Sequence, residues 1–233
     1  MNALLFSVRV GLALVLTVPI LAFLTVAVPS TRMHHLTQRW ARWMVTLCGC
    51  RPHVIGHEHL PGDRTVVFTA NHASFFDSVV LLAALPGPYR FVVNHQAAAR
   101  PLLGTIIRKA GHLVVDRRSL RSRAACARAI ERTLASGHSL LLFPEGTRGR
   151  DGLLTFRLGG FRAAIRASRA VVPVALSGTQ RMFPRDARLP QPTPLTVQVL
   201  PPVRTAGCEL RQAAGLRDEV QAAIAGALAA GRA

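Results

Sequence analysis

The sequence has almost no lysine and few acidic residues. Lys109 is the only lysine among 29 lysine and arginine residues, and only 11 residues are aspartate or glutamate. The formal net charge is +18 and the isoelectric point is near 11.8, and a surface with this charge attracts polyanions. Nucleic acid and an anionic lipid leaflet are the two classes of polyanionic partner that fit this charge. A coding bias toward arginine would produce the same excess.

Cysteine and aromatic residues are scarce as well. The single tyrosine and two tryptophans leave few side chains that could stack on bases among the arginines, which argues against a nucleic-acid partner. The cysteines are too few and too scattered for a disulfide framework and have no zinc-site spacing, so free thiols are expected at Cys48, Cys50, Cys126 and Cys208.

The N-terminal part lacks negatively charged residues and contains a long apolar run. No acidic residue precedes Glu58, and the 19 residues from Val10 to Val28 carry no charge, which is long enough to cross a hydrocarbon core. Pro19 should kink a helix at this point, so a re-entrant or shallow hairpin competes with a simple span. The run is long for a signal peptide, and no convincing cleavage site follows it.

A second helical segment follows, over about residues 33–49. Leu36, Trp40, Trp43 and Leu47 recur at three- and four-residue spacing among arginines, as in helices at a membrane interface. An ordinary helix that packs on the core is the alternative. We predict a membrane-associating helical segment over residues 1–50 and an α/β domain over 51–233.

The rest of the chain alternates between strand and helix patterns. Strands are predicted at 65–70, 90–93, 112–116, 139–143, 171–176 and 196–200, with helices at 75–85, about 97–109, 120–137, 160–169 and 216–228. This alternation predicts a central, largely parallel sheet with helices on its faces. His57 and His59 fall in a turn before the first predicted strand, where we expect no metal.

Polar residues follow the predicted strands, at the edge where such folds collect their chemistry. In TANHASFFDS, a turn at His72 would let Asp77 accept Nδ1–H and leave Nε2 as a base. The competing interpretation is a helix cap in which Ser74 and Asp77 form a capping box. In FPEGTR, Glu145 and Arg148 follow the next buried run, and with Arg117 and Arg157 this region could clamp a phosphate.

These motifs together resemble a known family. NHASFFD, GHLVVDR, FPEGTR and VPVA occur in the order found in glycerolipid acyltransferases, the family typified by 1-acylglycerol-3-phosphate O-acyltransferase. The resemblance covers about residues 55–205 and implies a glycerol-3-phosphate acyltransferase-like fold. It implies transfer of an acyl group from acyl-CoA or acyl-acyl carrier protein to a lysophospholipid hydroxyl, giving phosphatidic acid, without a metal or other cofactor.

The resemblance also implies roles for individual residues. His72 would be the general base, oriented by Asp77 and supported by Asn71 and Ser74. The implied acceptor-binding residues are Arg117, Glu145, Gly146, Thr147, Arg148 and Arg157, and the implied acyl-pocket residues are Val172, Pro173 and Val174. Another lysolipid acceptor, such as lyso-ornithine lipid, and a non-catalytic basic binding protein remain alternatives. The expected location is an anionic membrane, with the active domain on the cytoplasmic face of a bacterial inner membrane.

Overall fold

A mixed β-sheet forms the centre of the protein. The computed structural model describes residues 2–60, 62, 64–149, 152–183 and 189–231. Within these ranges the strands are β1 (His53–Ile55), β2 (Val67–Ala70), β3 (Tyr89–Asn94), β4 (Leu113–Val115), β5 (Ser139–Leu142), β6 (Val171–Ser177) and β7 (Thr196–Val199). Their order is β1-β7-β6-β2-β5-β3-β4, and every neighbouring pair is parallel except β6 and β7. The predicted largely parallel sheet is confirmed.

Helices cover both faces of this sheet. In the described ranges they are α1 (Ala3–Ala27), α2 (Met33–Leu47), α3 (Asp77–Ala84), α4 (His95–Ala98), α5 (Pro101–Lys109), α6 (Leu120–Ala135), α7 (Gly159–Arg166), α8 (Thr179–Met182) and α9 (Ala213–Ala230). Alternate strand residues point to opposite faces. The apolar core on one face includes residues of α1, α2 and α3, and the core on the other includes residues of α6, α7 and α9.

Three elements differ from the sequence prediction. The single helix predicted at 97–109 is two helices, because Arg100 before Pro101 is extended (φ −74°, ψ 134°) and Pro101 starts a new helix. The strand β1 was missed, because only three residues pair and their side chains are partly exposed. His57 and His59 lie in a short 3-10 turn after β1, so the expectation that they precede the first strand is wrong.

The helix α1 lies against the rest of the protein along its length. Phe6 and Val10 belong to the large core, whereas Leu21 packs near the far end with Ile106 of α5. Lys109 Nζ donates to the carbonyl oxygens of Thr25 (2.5 Å) and Val26 (3.0 Å) and thereby satisfies the C-terminal end of α1. The apolar side chains on its other side are exposed, among them Leu4, Val8, Val15, Ile20, Phe23 and Val26.

The connection between α1 and α2 lies beyond Pro19, and the kink expected at Pro19 stays a prediction. The helix α1 continues through Pro19, and the chain turns back only after Ala27, through a 3-10 turn at Ser30–Arg32. Of the described helices, α1 alone is long and apolar enough to cross a membrane. Because α1 also packs on α2 and α5, the first 50 residues share core packing with the α/β part, and the domain boundary at residue 50 stays a prediction.

The face of α2 that packs on the core is separate from the stripe of tryptophan and leucine residues that was predicted for a membrane interface. Met33, Thr37, Ala41 and Met44 face the core, whereas Trp43 is exposed. The core-packing alternative therefore describes the inner face of α2. Leu36, Trp40 and Trp43 of the predicted stripe line an apolar groove of about 430 Å³ between α1 and α2.

Burial of His112 predicts a loss of stability in acid. Burial, and then the positive charges of His34 and Arg90, lower the pKa of His112 from 6.5 to about 4. A lowered folded-state pKa contributes stability above pH 6.5 that is lost as the pH falls toward 4, by about 3 kcal/mol. Nδ1 of His112 accepts the Phe91 N–H (3.3 Å), and an asparagine oxygen can replace this acceptor.

We therefore expect His112→Asn to remove most of this acid-dependent loss. Urea unfolding of the detergent-solubilised protein at pH 4.5, 5.5 and 7 measures the free energy of unfolding. The exposed His53→Asn serves as the control. An unchanged pH slope in His112→Asn would contradict the assignment.

Candidate active site

Asn71 fixes the start of the polar turn that follows β2. Its Nδ2 donates to the Leu176 carbonyl (2.9 Å), and its Oδ1 accepts the Leu176 N–H (2.8 Å). The side chain thus extends the pairing of β2 and β6 beyond the last backbone pair, Ala70 with Val174. Because Asn71 is buried and fully engaged, its effect on the next residue, His72, is positional.

One carboxylate oxygen of Asp77 makes several hydrogen bonds within the turn. Its Oδ2 accepts the Ala73 N–H (2.8 Å) and the Ser74 N–H (2.9 Å), and it lies 2.9 Å from His72 Nδ1. The side chain is completely buried. A carboxylate oxygen that already accepts two amide donors is an acceptor for the imidazole too, so Nδ1 carries the hydrogen and Nε2 has the lone pair.

The same residues form the start of α3. Asp77 is the first residue of the helix, and Ser74 Oγ accepts the Phe76 N–H (3.2 Å). Asp77 accepts the Ser74 N–H, so half of the predicted capping box is present. The cap and the His–Asp pair are therefore one arrangement.

Phe143 supports the imidazole ring and was missed as a site residue. It directly follows β5 and stacks on His72 with ring centroids 4.1 Å apart and planes 19° apart. The His72 side chain remains 19% exposed, so a substrate can reach the ring. Phe143 opens the FPEGTR motif, and the parallel neighbours β2 and β5 bring the two strand ends together, a signal that the sequence did contain.

Glu145 joins the two polar motifs through backbone N–H groups. Its Oε1 accepts the His72 N–H (2.6 Å) and its Oε2 accepts the Leu154 N–H (2.9 Å). In return, the Gly149 N–H donates to the His72 carbonyl (2.9 Å). Burial raises the pKa of Glu145, and the two backbone hydrogen bonds oppose that effect. Glu145 is 4% exposed and both of its carboxylate oxygens accept backbone N–H groups, so a direct substrate contact of Glu145 stays a prediction.

Two of the predicted phosphate-binding arginines lie near each other. Gly146 adopts a left-handed conformation (φ +75°), and a Cβ atom there would come within 2.5 Å of Arg157 Nε, so the arginine packs on this turn. Burial, and then the positive charge of Arg157, lower the pKa of Arg117. Neither arginine forms an ion pair with a carboxylate in the described ranges. Thr147 and Arg148 are exposed on the same turn.

The predicted acyl-pocket residues lie in the core. Val172 and Val174 have no exposed surface and belong to the core beneath α3, and Pro173 is buried as well. The reason is the sheet order: β6 is an interior strand between β2 and β7, with both of its faces covered. An acyl-chain contact at these residues stays a prediction.

Metal-binding groups do not gather at this site or elsewhere in the described ranges. No cluster of three histidine, cysteine, aspartate or glutamate side chains with metal-binding geometry occurs there. His57 and His59 are neighbours of Glu58 in their turn, where His59 Nε2 lies 3.7 Å from Glu58 Oε1.

The order of the strands and the helical layers place the chain in the α/β class. The family model described as "Acyltransferase" matches residues 51–177, and the chain belongs to this family. The match includes the His72–Asp77 turn, the FPEGTR motif and β6.

Several named proteins are similar to this chain. A 1-acyl-sn-glycerol-3-phosphate acyltransferase of Chlamydomonas reinhardtii is 33% identical over 86% of this chain and 63% of its own length. A protein of the same name from Borreliella burgdorferi is 29% identical over 59% of this chain and 55% of its own length. The chain therefore spans less than two thirds of these relatives. The crystal structure of the 1-acyl-sn-glycerophosphate acyltransferase PlsC from Thermotoga maritima matches with a TM-score of 0.82 at 20% identity, covering 99% of this chain and 96% of that chain, which shows the same fold.

Replacement of Glu145 by glutamine tests its positioning role. The amide keeps one acceptor oxygen but turns an NH2 group toward either the His72 or the Leu154 N–H. We expect kcat of the acyl-transfer reaction proposed below to fall about tenfold, equivalent to about 1.4 kcal/mol, with KM for the acceptor unchanged. The exposed Glu219→Gln is the control. A raised acceptor KM at normal kcat would instead restore the substrate-binding role.

Proposed function

We propose that this protein transfers a fatty acyl group from an acyl thioester to the free hydroxyl of 1-acyl-sn-glycerol-3-phosphate, which gives phosphatidic acid. The observation that carries the proposal is the 2.9 Å contact between His72 Nδ1 and the buried Asp77 carboxylate, at a ring that solvent still reaches. Membership of the acyltransferase family and the names of the relatives support the reaction.

The His–Asp pair can serve as the base of a direct transfer. Nε2 of His72 takes the proton of the acceptor hydroxyl while the hydroxyl oxygen bonds to the thioester carbonyl carbon. The carbon–sulfur bond then breaks, and the imidazolium returns its proton to the leaving thiolate. The products are an ester and a thiol. Ser74 is 3% exposed and held in the helix start, so an acyl-serine intermediate is not needed.

The arginine pair provides a place for the phosphate of the acceptor. Two guanidinium groups near each other, without carboxylate partners in the described ranges, repel one another until an anion lies between them. Arg157 packs on the turn at Gly146, and the adjacent Glu145 holds the His72 backbone, so this turn links the cations to the base. We propose Arg148, exposed two residues after Gly146, as a third phosphate contact.

The acyl thioester of CoA or acyl carrier protein is the proposed co-substrate, and no other cofactor is required. The exposed apolar side of α1 suits contact with lipid hydrocarbon, where the acceptor resides. Because α1 is packed on the protein from Phe6 to Val26, we propose shallow embedding of the α1–α2 hairpin. The proposed setting is the cytoplasmic face of a bacterial inner membrane.

Substitution of the pair tests the mechanism. We expect His72→Ala and Asp77→Asn to lower kcat at least 100-fold, because the first removes the base and the second disturbs its tautomer. The assay measures phosphatidic acid formed from lysophosphatidic acid and an acyl thioester. Ser74→Ala, which loses one hydrogen bond in the same turn, should keep most activity. Near-normal turnover by folded His72→Ala would overturn the mechanism.

Removal of the arginine pair tests the choice of acceptor. We expect Arg117→Met and Arg157→Met to raise KM for lysophosphatidic acid at least tenfold, because each loses a charged contact to phosphate. Acylation of a monoacylglycerol, which lacks the phosphate, should change less than twofold. Arg118→Met, an exposed neighbour, is the control. Equal losses on both acceptors would contradict phosphate binding, and a preference for lyso-ornithine lipid would redirect the assignment of the acceptor.

A further inference from the structure

The outer face of α6 carries a row of arginines. Arg121, Arg128 and Arg132 are seven and four residues apart, so they share one side of the helix. The buried residues of α6, Cys126 and Ile130 among them, lie on the opposite side and pack on the sheet. The three arginines, here named the α6 arginine row, are all exposed and extend over about 16 Å.

The charges of the α6 arginine row are not compensated within the described part of the protein. None of the three forms an ion pair with a carboxylate there. Glu131 is the one acidic residue of α6, and it pairs with Arg166 of the neighbouring α7 at 2.7 Å. The first turn of the helix has no acidic residue, so the positive end of the helix dipole adds to the charge of Arg121.

The shape of the row also suits an incoming helix. Ala124, Ala125 and Ala135 are exposed beside the arginines, and their small side chains leave the helix surface flat. An acidic partner helix could therefore approach closely while its carboxylates meet the arginines. Such pairing of opposite potentials accelerates encounter and fixes orientation.

The row starts beside the candidate active site and faces away from the apolar N-terminal helices. The helix α6 begins at Leu120, three residues after Arg117 of the proposed phosphate site. It covers the face of the sheet opposite to α1 and α2. While the exposed side of α1 contacts lipid, the α6 arginine row points away from that surface, so an anionic leaflet does not account for it.

We propose that the α6 arginine row is the docking surface for acyl carrier protein, an acidic protein that presents the acyl thioester on a flexible arm. This inference rests on the proposed function and deepens it by naming the surface used by one donor. Docking on α6 lets the arm reach His72 along the edge of the sheet without displacing the lipid acceptor from the opposite side.

Steady-state kinetics with two donors test the inference in the full-length protein. Palmitoyl-acyl carrier protein and palmitoyl-CoA are compared at fixed lysophosphatidic acid, for wild type and Arg121→Glu/Arg128→Glu. The control is Arg204→Glu/Arg211→Glu, two exposed arginines outside α6 with the same change of charge. We expect KM for the carrier-protein donor to rise at least tenfold in the α6 variant and stay within twofold in the control. KM for palmitoyl-CoA should stay within twofold in both.

The ionic strength gives a second readout. KM of wild type for the carrier-protein donor should rise between 50 and 300 mM salt, and this dependence should flatten in the α6 variant. An equal rise of KM for both donors in the α6 variant, or no rise for either, would contradict the proposed docking surface. Loss of binding to anionic vesicles in the α6 variant would assign the row to the membrane instead. If the wild-type protein uses palmitoyl-CoA but not the carrier-protein donor, that result would contradict this inference alone. Inactivity with both donors would contradict the proposed function.

Discussion

The carboxylate of Asp77 is fully buried, and one of its oxygens accepts two backbone N–H groups and the imidazole of His72. The donors on this oxygen offset the cost of burying the charge, so the turn from His72 to Asp77 has little freedom to adopt another shape. The helix start, the imidazole orientation and the exposure of its ring all depend on this one group. A substitution that removes the charge of Asp77 therefore affects both the stability of the fold and the orientation of the His72 imidazole.

The two polar motifs hold each other through their backbones. Asn71 pairs with β6, Glu145 accepts the His72 N–H, and Gly149 donates to the His72 carbonyl. His72 is thus fixed on both sides by residues whose side chains do not reach solvent. Polar residues at strand ends can therefore hold the backbone of the site in place, as Glu145 does.

The sequence predicted the features that depend on local pattern, but not those that depend on how the strands assemble. The parallel sheet and the proximity of His72 and Asp77 followed from strand–helix alternation and from the position of TANHASFFDS after an apolar run. The burial of Val172 and Val174 follows from the interior position of β6, which no local pattern reveals. The buried face of α2 was not predicted because it mixes Thr37 and Ala41 with apolar residues, which gives no clear apolar pattern in the sequence.

The scarcity of lysine has a practical consequence for the contact between α1 and α5. Lys109 is the only side-chain amine in the protein, and it is committed to the last carbonyl groups of the apolar helix. Acylating reagents, aldehyde fixatives and enzymatic acetylation all seek amines. On this protein, any side-chain amine chemistry would therefore remove the hydrogen bonds that hold the end of the apolar helix α1 to α5. Labelling or immobilisation that leaves this helix in place can instead use exposed carboxylates such as Glu219, or the partly exposed thiol of Cys208.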